Sequence, residues 1–384
     1  MRMTYYTSVH LDEYNAPAEH VRGFCVALAA TGNHYSLVRP SVTPLGDREL
    51  EWVTEGDVPL WYPKIRGGWR IFETLVHRYI RSGRDRDSDV AYFRFTPSLK
   101  IARALSERSD GSFRVLELNG SAGMTSAVFR QFTLAMDLVL VDSPEMCARV
   151  TSLLGDEGPR VAVHKHPATN TAVFRPIPMA TARTQLNLPQ TGPVILHVSG
   201  FQRHHDFATV IESVAQLVPE FPDILLALAG DGPRHDEIAA MATERLGASH
   251  LIMPGSMPPE RVAMFIGAAN VCVNTLTSEV LRDGNLRAFK LYEYMACARP
   301  VIEAIDETRA LPDWARDYLY LIPAESTSAT TTAIRDIIAQ PDPWAKRSSA
   351  GRGYVERYRT WDAAVKETLG IVTAMRQSRE ATVG

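Results

Sequence analysis

The sequence is short of cysteine, of lysine and of long apolar runs, and it has no strong excess of charge of either sign. Its four cysteines, Cys25, Cys147, Cys272 and Cys297, lie far apart, each inside an apolar stretch. That spacing argues against a disulfide framework or a metal knuckle and leaves core thiols as the reading. A net charge of -3 gives no footing for a polyanion, so no nucleic-acid partner is expected. No run of about 18 apolar residues occurs, and the opening MRMTYYTSVHLDEYN has no apolar core of the signal-peptide kind. A cytoplasmic location, with membrane association peripheral at most, is the expectation. Only six of the 41 basic residues are lysine (Lys64, Lys100, Lys165, Lys290, Lys346 and Lys366), a bias typical of a GC-rich coding sequence. It makes Lys290 the only lysine between Lys165 and Lys346.

What is present describes an ordinary globular chain: 384 residues, 45% hydrophobic and 22% charged. A chain of this length exceeds one compact core, so two domains are expected. From Pro193 onward short apolar runs alternate with amphipathic stretches. PVILHVSG, DILLALAG, HLIMPG, VCVNTL and PVIEAI read as strands, and FATVIESVAQLVPEF, RHDEIAAMATERLG, PERVAMFIGAA and RAFKLYEYMACA as the helices between them. Such alternation predicts a parallel sheet wound on both faces, because each right-handed crossover carries a helix back over the sheet. The first half repeats the rhythm, from MTYYTSV to RVAVHKHP, with an irregular stretch around Trp52, Trp61 and Trp69. ATNTAVFRPIPMATA has no period and reads as the linker, and YVERYRTWDAAVKETLGIVTAMRQ as a helix broken near Thr360.

One segment asks for more than packing. In NLRAFKLYEYMACARPVI, Phe289, Tyr292 and Met295 recur as a buried helical stripe, while Lys290 and Glu293 share another face three residues apart. As a solvated intrahelical pair they are worth about 0.2–0.5 kcal/mol. The other reading is a ligand at the start of the helix.

Six pieces in order resemble the retaining glycosyltransferases of family 4: NTAVFRP, ILHVSGFQRHHDFATVIESVAQL, LLALAGDGPRHDEIAAMA, LIMPGSMPPERVAMFIGAANVCVNTL, KLYEYMACARPVI and RTWDAAV. The resemblance implies the GT-B fold: an α/β chain of two Rossmann-like, doubly wound parallel-sheet domains facing across a cleft, with a C-terminal helix returning to the first. The expected domains are 1–175 for the acceptor, 176–357 for the nucleotide sugar, and 358–384 for the returning helix.

By that resemblance the helix N-terminus and Lys290 face the donor diphosphate, and Glu293 accepts hydrogen bonds from the ribose hydroxyls. Arg203 is expected beside the diphosphate, making Arg203, Lys290 and Glu293 the catalytic set. Gly200, His205, Gly230, Arg234, Ser256, Met257, Asn285, Arg287, Ala288, Phe289 and Leu291 are the expected donor-binding positions. Tyr14, Asn15, His20, Arg94, Glu117 and Asn119 are expected on the acceptor side, with a surface histidine as the alternative for His20.

The chain departs from the family pattern in two places. The first of two glutamates eight positions apart is replaced by Asn285, so Asn285, Arg282 or Asp283 is expected at the transferred sugar. The usual Gly-Arg and Lys-Gly turn is replaced by Gly200 to Asp206, with Arg203 and His205 in the cationic role, or on a solvated loop. Asp85, Asp87 and Asp89 look like an Asp-x-Asp metal motif but sit in a charged, breaker-rich stretch and read as a solvated loop; neither metal nor cofactor is expected.

The implied activity is transfer of a hexosyl or N-acetylhexosaminyl group with retention, from a UDP-sugar ahead of a GDP-sugar. The acceptor is a hydroxyl or thiol of a small molecule or glycan. The absence of an evident basic amphipathic helix in the first half favours a soluble acceptor. The alternatives are an epimerase of the same architecture and a degenerate member that binds a nucleotide sugar without turnover.

Overall fold

The computed structural model describes residues 1–11, 15–42, 56–63, 65–108, 111–118, 124–164, 167–282, 289–308 and 311–383, and only the backbone of Phe289, Asp313, Thr382 and Val383. The chain divides into two compact units, Met1–His166 with Trp361–Gly384, and Pro167–Thr360.

The first unit carries strands β1 (Arg2–Thr7), β2 (His34–Ser41), β3 (Asp57–Trp61), β4 (Val90–Arg94), β5 (Phe113–Glu117), β6 (Leu138–Val141) and β7 (Arg160–Val163). They form one sheet in the order β3-β2-β1-β4-β5-β6-β7, and every pairing is parallel. Helices α1 (Ala16–Ala30), α2 (Gly68–Ser82), α3 (Leu99–Ser106), α4 (Ala127–Leu134) and α5 (Pro144–Leu154) make the crossovers.

In the second unit the helices are α6 (Met179–Gln185), α7 (Phe207–Leu217), α8 (His235–Leu246), α9 (Pro259–Ala268), α10 (Ser278–Arg282), α11 (Phe289–Ala296), α12 (Asp313–Tyr318), α13 (Thr327–Ala339) and α14 (Pro341–Tyr358). Its strands are β8 (Val194–Val198), β9 (Leu225–Ala229), β10 (Leu251–Gly255), β11 (Val271–Asn274), β12 (Val301–Ile305) and β13 (Tyr320–Pro323). Their order is β10-β9-β8-β11-β12-β13, again with every pairing parallel. The last helix, α15 (Trp361–Val383), belongs to the first unit.

Residue type explains strand position. Central strands such as β4 (VAYFR), β6 (LVLV) and β9 (LLALA) are buried along their whole length, as strands covered by helices on both faces must be. Of the four edge strands, β3, β10 and β13 contain proline, at Pro59, Pro254 and Pro323; a residue without an N–H belongs where the ladder ends. Helix starts are set by side chains. Asn15, Ser98, Ser126, Ser143, Asp206 and Ser326 each accept a hydrogen bond from a backbone N–H three residues on.

The second sheet buries both faces. Leu196, Ala227, Cys272 and Val301 pack in one cluster with residues of α9 and α11. Ile195, Leu226, Val273 and Ile302 pack in the other with residues of α7, α8 and α13. In the first unit α15 lies so close to α1 that a Cβ on Gly23 would fall 2.1 Å from Trp361 Nε1.

Several expectations change. The irregular stretch around Trp61 and Trp69 holds β3 and α2, and α2 is amphipathic and basic: Phe72, Val76 and Ile80 are buried, while Arg70, Arg78 and Arg81 are exposed. The glycine pair Gly67-Gly68 hid it, because Gly67 lies just before the helix at φ 82°. The expected linker is packed: Phe174 is buried, Thr169 bridges Thr360, and Met179 opens α6. Strand β13 and helices α10, α12 and α13 are additions. The units meet at His166/Pro167 and Thr360/Trp361, several residues from the expected 175/176 and 357/358, because the Thr169–Thr360 bridge holds both segments in the second unit. Asp85 is not solvated; it lies 2.9 Å from Arg108 Nη1 and accepts from the Tyr6 hydroxyl. No helix among the described residues is long and apolar enough to cross a membrane.

Gly23→Leu is expected to drive Trp361 off α1 and cost about 1–3 kcal/mol or more, read as a lowered melting temperature. Gly353→Ala, where a Cβ meets nothing within 4 Å, is the control expected to leave it unchanged or slightly raised.

Candidate functional site

The order of the second sheet reverses between β8 and β11. In an open parallel sheet the loops leaving two such strands diverge, and ligands bind at their carboxyl ends. Here the loop after β8, Ser199 to Asp206, is stitched to the loop after β11. Asp206 N–H donates to Thr275 O at 3.2 Å, Thr277 N–H donates to His204 O at 3.0 Å, and the Thr275 hydroxyl donates to Asp206 O at 2.6 Å.

The same loop is clamped to the turn after β9, where Phe201 N–H donates to Asp231 O at 2.9 Å and Arg234 N–H to Phe201 O at 3.2 Å. Only glycine allows this approach. At Gly230, with φ 131°, a Cβ would lie 1.8 Å from Ser199 O, and at Gly232 it would lie 2.7 Å from Phe201 N. Gly200 is exposed, and a Cβ placed there would lie 3.7 Å from Asp231 O, an ordinary contact.

Lys290, in the first turn of α11, is 6% exposed, and its Nζ lies 3.3 Å from His205 Nδ1. Burial lowers its pKa from 10.5 to about 7, against the opposing pull of Glu303 and then Glu293. Burial, then Lys290, His197 and His204, push the His205 imidazole far below its usual range. A neutral ring with Nδ1 toward an ammonium is an acceptor. His205 is therefore not the second cation expected from the sequence; it holds the first.

The strand ends beneath supply two groups that the sequence reading missed. Asn274 Nδ2 donates to both carboxylate oxygens of Glu303, at 3.0 and 2.8 Å, and both residues are buried. The signal was available: Asn274 in VCVN, Glu303 in VIEAI and the buried His197 in VILHV are each a polar residue inside an apolar strand.

Other expected donor positions are scattered in role. Arg203 is exposed, and no hydrogen bond or ion pair holds its guanidinium among the described residues. Arg234 is already engaged, gripping Glu237 with Nε at 2.9 Å and Nη2 at 2.6 Å. Met257 and Leu291 are core side chains, Ser256 is exposed and Glu293 half-buried. Asn285, Arg287, Ala288 and Asp283 lie outside the described residues; Phe289 is seen as backbone at the start of α11, and Arg282 is exposed at the end of α10.

The expected acceptor residues assemble differently. His20 Nε2 lies 2.8 Å from Glu117 Oε1, Arg94 Nη1 donates to the same oxygen at 2.6 Å, and the Tyr92 hydroxyl donates to Oε2 at 2.8 Å. All four are buried, and burial, then Arg94, lower His20 to about 4, so a neutral imidazole lies against the carboxylate. His20 is neither a surface histidine nor an open contact; the network ties α1 and β4 to β5. Asn15 caps α1, and Tyr14 and Asn119 lie outside the described residues. No group of three or more His, Cys, Asp or Glu that could hold a metal occurs among the described residues.

Residues 179–353, which contain the β8/β11 switch point, match the family of glycosyl transferases group 1. That stretch is a group 1 glycosyltransferase domain. The chain is similar to a GDP-mannose-dependent alpha-(1-6)-phosphatidylinositol monomannoside mannosyltransferase of Mycolicibacterium smegmatis, 24% identical over 58% of this chain, and spans 59% of that relative's length. Among solved structures it is similar to a sucrose-phosphate synthase of Thermosynechococcus elongatus, with a TM-score of 0.77, 20% identity, and coverage of 99% of this chain and 100% of that one. It is also similar to HepE of Anabaena in complex with UDP-glucose, with a TM-score of 0.69, 14% identity, and coverage of 96% and 99%. The two Rossmann-like units, of which the group 1 domain is the second, have the GT-B fold.

Because folding strips water from Lys290, the unfolded chain holds that proton more tightly. Below pH 7 both states are protonated and the folded one bears the full cost; between pH 7 and 10.5 the folded lysine is neutral and the cost fades. Lys290→Met is therefore expected to raise the melting temperature at pH 6 and to lose most of that gain by pH 10. A gain equal at both pH values would contradict the assignment.

Proposed function

We propose that this chain is a glycosyltransferase that moves a hexosyl or N-acetylhexosaminyl group, with retention, from a nucleoside-diphosphate sugar to a hydroxyl or thiol of a small molecule or glycan. The observation that carries the reading is the buried Lys290 ammonium, held by a neutral His205 at the β8/β11 switch point of a group 1 domain. A desolvated cation with donors to spare suits a diphosphate.

In this mechanism the bond from sugar to diphosphate breaks as the acceptor oxygen approaches on the same face. The departing phosphate oxygen takes the acceptor's proton, so no protein base is required. Lys290, the first backbone N–H groups of α11 and Arg203 stabilise the leaving diphosphate, and Glu293 holds the ribose hydroxyls. No resident metal takes part. UDP-sugars rank ahead of GDP-sugars; the similarity to a GDP-mannose-dependent enzyme names the competing donor.

One observation favours a second reading of the acceptor. Trp61, Ile65 and Ile71 are 47%, 60% and 39% exposed, and they stand beside exposed Arg66 and Arg70 at the start of α2. Apolar tips among arginines suit an anionic lipid surface and a lipid-linked acceptor, and sedimentation with anionic vesicles, lost on Trp61→Ser with Ile65→Ser, is the expected sign.

With UDP- and GDP-sugars, slow donor hydrolysis and nucleotide release are expected, unchanged by a chelator. Glu293→Gln is expected to weaken UDP binding by about ten- to a hundredfold, the loss of hydrogen bonds to a charged group. A folded protein that neither releases nucleotide nor shows a thermal shift with UDP or GDP would overturn the proposal, and activity restored by Mg²⁺ after chelation would overturn the metal-independent mechanism.

A further inference from the structure

A buried ammonium needs a compensating charge, and the elements around Lys290 narrow down its source. From β8 and its loop come His197, His204 and His205, all lowered by burial, together with Asp206, whose Oδ1 caps α7. From α14, Arg352 donates to Ala296 O at the far end of α11, and Arg359, the residue after α14, lies over the Tyr292 ring. β11 contributes a buried amide, Asn274, and no charged side chain. Among the described residues the negative charges acting on Lys290 are Glu293, on its own helix and half-buried, and Glu303, 4% exposed on β12.

Strand alternation puts Glu303 on the correct face. Val301 packs in the cluster that holds Leu291, Tyr292 and Tyr294 of α11, while Ile302 and Ala304 pack in the opposite one. Glu303 shares the face of Val301. Asn274 stands opposite it in register, as Cys272 stands opposite Val301, so the Asn274 amide fixes the carboxylate directly under α11.

We propose that Glu303 is a positioning residue for the diphosphate site, supplying from β12 the negative charge that keeps Lys290 an ammonium inside the protein, with Asn274 holding that carboxylate in place. The proposal rests on the reading of Lys290 as a diphosphate contact. Glu303 touches neither sugar nor nucleotide; it acts through Lys290 by installing the cation before the ligand arrives.

The test uses the full chain, with Glu303→Gln, Glu303→Asp, Lys290→Met and the Glu303→Gln/Lys290→Met double variant. In protein labelled with ¹³C at lysine, the ε-carbon signal lost in Lys290→Met reports Lys290 without any nucleotide. It is expected to titrate near pH 7 in the parent and in Glu303→Asp, and about one to three units lower in Glu303→Gln. UDP affinity of Glu303→Gln is expected to fall about tenfold at pH 7.5 and to return toward the parent's at pH 5.5. The double variant should bind no more weakly than Lys290→Met.

An unmoved Lys290 titration in folded Glu303→Gln, or an affinity loss equal at both pH values, would overturn the proposal. A parent that binds no UDP or GDP overturns the functional reading instead, and the lysine titration still decides the role of Glu303.

Discussion

Keeping a lysine charged where water scarcely reaches it is the constraint around which the second unit is arranged. Lys290 sits in the first turn of α11, faces a neutral imidazole, and among the described residues feels the acids Glu293 on the next helical turn and Glu303 on β12. Burying an ion costs several kcal/mol before compensation, and the arrangement offsets only part of that, as the lowered pKa of the ammonium shows. A packed hydrophobic residue in its place would stabilise the free protein. The cost is one that a ligand can relieve, because an arriving phosphate supplies the negative charge that the fold leaves short.

The rest of the site serves that cation. Gly230 and Gly232 let the turn after β9 press against the loop after β8, and Thr275 and Thr277 fix the loop's other side. The His205 ring is thereby held rigidly toward Nζ. The first unit shows the same physics used to another end. Glu117 receives hydrogen bonds from Arg94 and Tyr92 and lies against the neutral His20 ring, so its carboxylate is answered from within. A satisfied buried charge specifies packing; an under-satisfied one is available for binding.

Legibility in the sequence followed distance along the chain. The Lys290/Glu293 pair was visible because helical spacing alone places both on one face, and Gly230 and Gly232 because strand, turn and helix follow within a dozen residues. Helix α2 was obscured by Gly67 and Gly68, which read as breakers although Gly67 only precedes its first turn. Asp85 looked solvated among arginines, yet Tyr6 and Arg108, both more than twenty residues away, enclose it. His20 read equally well as a surface or an acceptor residue until the β5 carboxylate came to meet it.

From its own order of residues the chain determined the alternation of strands and helices, hence two parallel sheets and the position of the Lys290 turn, because periodicity and capping act over a few neighbours. Tertiary structure alone decided that His205 is a neutral acceptor, that Glu303 and Asn274 lie under α11, and that Arg94 and Glu117 neutralise one another in a core beside a neutral His20. Those outcomes depend on which strands become neighbours and on how much water each group loses, and neither quantity exists until the sheets have formed.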